Sequence, residues 1–112
     1  MGLINNASAK VDEVTLKGAS GNTYAFNVYP WGTPFKQIGA VYTVLKKSGT
    51  NYTILYIGQT EDLSERFDNH HKQACFDRNG KTHIGVHAEP SETKRFAKET
   101  DLVRNYKTSC ND

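Results

Sequence analysis

The chain has 112 residues, 37% of them apolar and 23% charged, a balance that suits one globular domain with a modest core and excludes a disordered chain. Its net charge of +2 is too small for a dedicated nonspecific DNA binder, although residues 72–107 carry eight basic against five acidic side chains. No apolar run reads as a signal peptide or is long enough to span a membrane, so the expectation is a cytoplasmic chain with no membrane partner. In that setting Cys75 and Cys110 are expected as free thiols, with a disulfide between them as the alternative.

Residues 1–10 read as a loose tail. Val14–Lys17 and Tyr24–Tyr29 flank the turn-rich Gly18–Asn22 and predict a β-hairpin, which Pro30-Trp31-Gly32-Thr33-Pro34 ends. Ala40–Lys46 and Tyr52–Gly58 are rich in β-branched and aromatic residues and predict two central strands around the loop Ser48–Asn51. With Tyr52 facing Lys46 across a five-residue loop, Tyr56 would lie directly opposite Tyr42, sharing a face with Val44 and Ile54. Val41, Thr43, Leu45, Leu55 and Ile57 would take the other face.

Asp62-Leu63-Ser64-Glu65 resembles a capping box and predicts a helix to about Phe76. Leu63, Phe67 and Ala74 would form its apolar stripe, with Arg66 and His70 one turn apart on the flank. His83–Ala88 predicts a third central strand, and Pro90-Ser91 opens a second helix over about 92–107. In that helix Phe96, Leu102, Val103 and Tyr106 define an apolar arc with Glu99 near its middle. No repeat, linker or low-complexity tract divides the chain, so residues 1–37 and 38–112 are expected to form parts of one domain.

Each candidate group has an ordinary explanation beside a functional one. Two tyrosines across a hairpin can be a core pair. Arg66 can pair with Asp62 or Glu65, or offer its planar donors to a phosphate. An inward carboxylate at Glu99 needs a cation, a raised pKa or a bound metal; an arginine bridge and a Mg²⁺ ion both satisfy it. His70, His71, Cys75, His83 and His87 match no standard zinc spacing.

Taken together, Ala40-Val41-Tyr42, Tyr56-Ile57-Gly58, Thr60 followed by Leu63, Arg66 and His70, then Glu99, Tyr106-Lys107 and Asn111 resemble the GIY-YIG nuclease family over residues 38–112. The resemblance implies an α+β fold, a small central three-stranded antiparallel sheet flanked by helices, here with an added N-terminal β-hairpin. It implies an endonuclease that hydrolyses phosphodiester bonds in DNA with Mg²⁺ or Mn²⁺, RNA not being excluded. Tyr42 would activate water with support from Tyr56, Arg66 would hold the phosphate, His70 would assist, and Glu99 would be the metal ligand. Gly58, Gln59 and Asn111 would lie against substrate. Here Ala40 stands where the family has its usual glycine, with Gly39 one residue early, and Thr108 stands for a common proline. The modest charge leaves specificity to DNA shape, a homodimer or a partner protein. The rival readings are a nucleic-acid-binding module that keeps the fold without cutting, and an interaction domain in which Glu99 pairs with Arg66.

Overall fold

A computed structural model describes residues 10–68 and 70–111, so most of the expected tail lies outside the described residues. The elements are β1 (Asp12–Lys17), β2 (Thr23–Pro30), β3 (Ala40–Ser48), β4 (Asn51–Thr60), α1 (Gln73–Arg78), β5 (His83–Ala88) and α2 (Glu92–Asn105). The chain is a small α+β domain with an antiparallel sheet flanked by two helices. The sheet has five strands in the order β1-β2-β5-β3-β4, rather than three strands with a separate hairpin. The N-terminal hairpin joins it because β2 pairs with β5 from Asn27↔Val86 to Pro30↔His83. The hairpin also grips α2: Asp101 accepts hydrogen bonds from the Ser20 and Tyr24 hydroxyls at 2.7 and 2.8 Å.

The central hairpin turns more tightly than expected. Ser48 pairs with Asn51, and Gly49 takes a φ of +62°, a left-handed conformation that glycine adopts without strain. Tyr52 therefore faces Lys47, not Lys46, and Tyr56 lies opposite Val44 while Tyr42 lies opposite Gly58. A bulge at Leu55 restores the alternation expected for Tyr56, so Leu55 and Tyr56 both bury on the face of Tyr42 and Val44, while Ile54 turns to the other.

Each sheet face carries its own core. Tyr29, Tyr42, Val44, Leu55, Tyr56 and Ile84 pack against Leu63, Phe76 and a shell that includes Trp31, Phe35 and Phe67. On the opposite face Leu16, Phe26, Val41 and Ile57 pack under Leu102 of α2. Ser91 caps α2, its hydroxyl accepting the Lys94 N–H. The buried stripe of α2 differs from the expected arc: Arg95 and Leu102 are buried, whereas Phe96 and Val103 face solvent. The stripe runs Arg95, Glu99, Leu102, Tyr106, at steps of four, three and four.

The expected helix from Asp62 to Phe76 is replaced by turns over residues 63–68 and the six-residue α1. Asp62 accepts the Ser64 N–H at 3.0 Å, and Arg66 N–H reaches Leu63 O, an i to i−3 bond that does not propagate an α-helix. Ala74 is accordingly exposed instead of lining a stripe.

The cysteines are joined in a Cys75–Cys110 disulfide, not free as expected. The C-terminal segment returns along β4, with Cys110 N–H bonded to Leu55 O at 2.9 Å, and brings two residues 35 apart in sequence to a Cα separation of 5.8 Å. That long-range return leaves no trace in local composition. Among the described residues no helix is long and apolar enough to cross a membrane.

Closing a loop of this length removes about 3–4 kcal/mol of unfolded-chain entropy. Reduction, or Cys75→Ser, is expected to lower unfolding free energy by that order, measured by guanidinium titration with and without a thiol reductant.

Candidate functional site

The site is centred on the hydroxyl of Tyr42, a residue fully removed from solvent near the start of β3. Its ring fits because Gly58, directly across on β4, has no side chain. A Cβ there would lie 2.7 Å from the Tyr56 ring and 2.8 Å from Tyr42 Cζ and Oη. The space expected at Gly58 for a ligand is thus filled by the two tyrosines, whose rings stand 6.0 Å apart and 33° inclined. Phe67 closes the Tyr42 ring edge-on at 5.0 Å.

Two nitrogens converge on Tyr42 Oη. Arg66 Nε donates to it at 2.9 Å, and His70 Nε2 lies 2.7 Å away. The Lys72 backbone N–H donates to His70 Nδ1 at 3.0 Å, which leaves the proton on Nε2. The imidazole therefore also donates to the phenol oxygen. Tyr42 Oη receives two N–H donors, and no described residue accepts its own proton. The broken helix is what allows this convergence: the turns at 63–68 deliver Arg66, and the step into α1 turns His70 inward.

Burial dominates the titration of both groups. It raises the Tyr42 hydroxyl well above the ordinary phenol range, against the opposing hydrogen bond and charge of Arg66. It lowers His70 from 6.5 to about 3, and the Arg66 charge adds to the effect, so the ring is neutral across the physiological range.

Arg66 spends only its Nε on Tyr42. Among the described residues nothing accepts from its two terminal nitrogens, and the residue lines an open hollow of about 320 Å³ with Gln59, Thr60, Glu61, Glu92 and Arg95. This hollow lies at the end of β4, where the layer carrying Tyr42 meets the layer carrying α2. Glu99, one turn beyond Arg95, is half-buried and forms no hydrogen bond or ion pair with a described residue. The arginine bridge, one of the alternatives the sequence left open for Glu99, is thus not formed with a described residue. Burial raises the Glu99 carboxyl above its ordinary range and the charge of Arg66 pulls it back; its charge is also felt at Tyr42.

Glu99 comes from α2, which packs over the sheet face opposite Tyr42 and Tyr56, and it is not among the residues lining this hollow, where two arginines stand beside the carboxylates of Glu61 and Glu92. A hard divalent ion held here would have Glu99 as its protein ligand and keep most of its waters. Among the described residues no group of three or more histidine, cysteine or acidic side chains is placed to enclose a metal.

The remaining expected residues have protein partners. Gln59 Oε1 accepts from Arg95 Nε at 3.0 Å. The Asn111 side chain pairs with the backbone of Ile57 in both directions at 2.9 Å, tying the C-terminal segment to β4. Tyr56 packs on the His70 and Phe76 rings at 5.1 and 5.5 Å. Arg95 is the residue missed from sequence. The signal was present in its i to i+4 and i+7 relation to Glu99 and Leu102, but Phe96 drew the apolar arc one position away.

His70 links stability to pH. Its pKa is lower in the folded chain than the ordinary 6.5, so the unfolded chain takes up a proton that the folded chain refuses. The stability it contributes is present above about pH 6.5 and lost as pH falls toward 3. Denaturant midpoints should decline over that window more steeply than in His70→Gln, whose side chain stays neutral. Gly58→Ala forces the two tyrosines apart and should cost about 1–3 kcal/mol by thermal unfolding, with a displaced His70 imidazole NMR signal.

Compared with known proteins, the chain matches no family model, no curated protein and no solved structure.

Proposed function

We propose that the chain binds the phosphodiester backbone of DNA in the manner of GIY-YIG nucleases, with Arg66 as the phosphate group's principal partner. The observation that carries this reading is the divided use of Arg66: Nε is anchored on Tyr42, while both terminal nitrogens are left without described partners in an open hollow. An arginine held by one nitrogen presents the rest of its planar fork at a fixed angle, which suits two phosphate oxygens. RNA offers the same phosphate and would compete for it.

Hydrolysis is the fuller form of this reading, supported by the Tyr42 hydroxyl. Its oxygen accepts from Arg66 and His70, so negative charge developing there meets two donors already in place. In this form Tyr42 would first release its own proton to solvent; the phenolate, held by the Arg66 and His70 donors, would then take a proton from the attacking water, with His70 fixed by the Lys72 N–H. Arg66 would orient the phosphate for in-line attack. Mg²⁺ or Mn²⁺ held by Glu99 would polarise the phosphodiester and offset its charge.

A module that binds without cutting is favoured by two specific observations. Tyr42 is enclosed, so water reaches its hydroxyl only if Arg66 or a neighbour shifts. Glu99 also stands without companion ligands among the described residues.

Binding and cleavage of duplex, single-stranded, nicked and branched DNA, with and without Mg²⁺ or Mn²⁺, separate the two forms. On the hydrolytic form, Tyr42→Phe and Glu99→Gln lose at least about a hundredfold in cleavage rate while retaining DNA binding. Arg66→Ala weakens both. Metal-independent binding with every DNA left intact selects the non-cutting module, and failure to bind any DNA removes the proposal.

A further inference from the structure

The guanidinium of Arg95 is the charged group that the proposed reaction leaves unused. The residue is only 4% exposed, yet no carboxylate among the described residues forms an ion pair with it. Its partners are neutral: Nε donates to Gln59 Oε1 at 3.0 Å, and Nη1 donates to the backbone carbonyls of Glu89 at 3.2 Å and Pro90 at 2.9 Å. Those bonds use three of the five N–H donors of the fork. Nη2 keeps two donors for which no described residue is an acceptor. No buried side-chain nitrogen is unsatisfied among the described residues, so Nη2 is open to the hollow. Burying a guanidinium without a counter-ion is unfavourable unless an anion completes it.

The surroundings reserve space for this cation. A Cβ on Gly39 would collide with Arg95 Nη1 and come within 2.9 Å of Glu89 O, so the glycine beside Ala40 is required by the arginine. Arg95 lines both the hollow it shares with Arg66 and an adjoining one of about 610 Å³ beside Ile38, Gly39 and Pro90. The acidic residues shared by the two hollows, Glu61 and Glu92, are exposed and can turn toward solvent. Arg95, pinned by three hydrogen bonds, cannot.

We infer that Arg95 forms a second phosphate subsite, holding the phosphate next along the same DNA strand from the one held by Arg66. The inference rests on the backbone-binding reading and specifies its substrate: two consecutive phosphates across one nucleoside are recognised together. Arg95 is a positioning residue. It sets the register of the strand, and Gln59 holds its guanidinium in place.

The probe is thymidine 3′,5′-bisphosphate, compared with thymidine 3′- and 5′-monophosphate and titrated by calorimetry and by arginine-detected NMR. The bisphosphate should bind roughly tenfold to a hundredfold tighter than either monophosphate, and its addition should shift the Arg95 Nε resonance. Arg95→Gln should erase that advantage while monophosphate binding persists. Because Arg95 also ties Gln59 to the start of α2, the exposed Glu92→Gln gives an independent check: removing a carboxylate from the hollow should tighten the bisphosphate. Equal affinity for bisphosphate and monophosphates, or an unmoved Arg95 resonance, overturns the inference and leaves the Arg66 reading standing. If neither nucleotides nor DNA bind, both fall together.

Discussion

A buried phenol oxygen that accepts two N–H donors is the constraint on which the rest of this site depends. Tyr42 is enclosed on an interior strand of the sheet, and a hydroxyl there is tolerated only with partners. Supplying them dictates the neighbourhood. Gly58 must lack a side chain so that the ring can lie across β4. The segment between β4 and α1 must abandon a continuous helix so that Arg66 and His70 arrive from two directions. The Lys72 N–H must take His70 Nδ1, or the imidazole would offer its lone pair instead of its proton. The strain-free way to meet these demands fixes Arg66 by one nitrogen and leaves its others uncommitted.

The second organising feature is the way charge is distributed around the end of β4. Arg66 comes from the layer over one sheet face, Arg95 and Glu99 from the helix on the other, and Gln59 lies on the strand between. No ion pair joins these three charged residues to one another or to another described group. In most small domains such groups would neutralise each other locally; here they remain available while the surrounding cores are well filled. That separation of cation and carboxylate is the basis for reading the hollow as a place for an anionic ligand.

The sequence made much of the fold legible. Val, Ile and Tyr patterning located all five strands within a few residues, and Pro90-Ser91 marked the start of α2. Tyr42, Arg66 and His70 were recognisable as a convergent set even though the path between them was misjudged. What failed depended on tertiary detail. The Leu55 bulge shifts the register while keeping Tyr56 on the expected face, so periodicity alone could not reveal it. The helix over 62–76 gives way to i to i−3 turns, in which Arg66 N–H takes Leu63 O and Asp68 N–H takes Glu65 O, and the His70 side chain then takes the Lys72 N–H. On α2, hydrophobicity favoured Phe96 for the interior, whereas the buried stripe runs through Arg95, whose partners come from β4 and from the segment preceding the helix. The disulfide likewise depends on a chain return that no local window contains.

Asn111 gives the outer strand a property of its own. β4 ends the sheet, and such a margin ordinarily offers unpaired amides to any passing extended chain. The carboxamide of Asn111 occupies the N–H and C=O of Ile57 together, as a neighbouring strand would, and Cys110 N–H takes Leu55 O beside it. One side chain and a short tether thus act as a plug against self-association, guarding the flank nearest the tyrosines without adding a sixth strand.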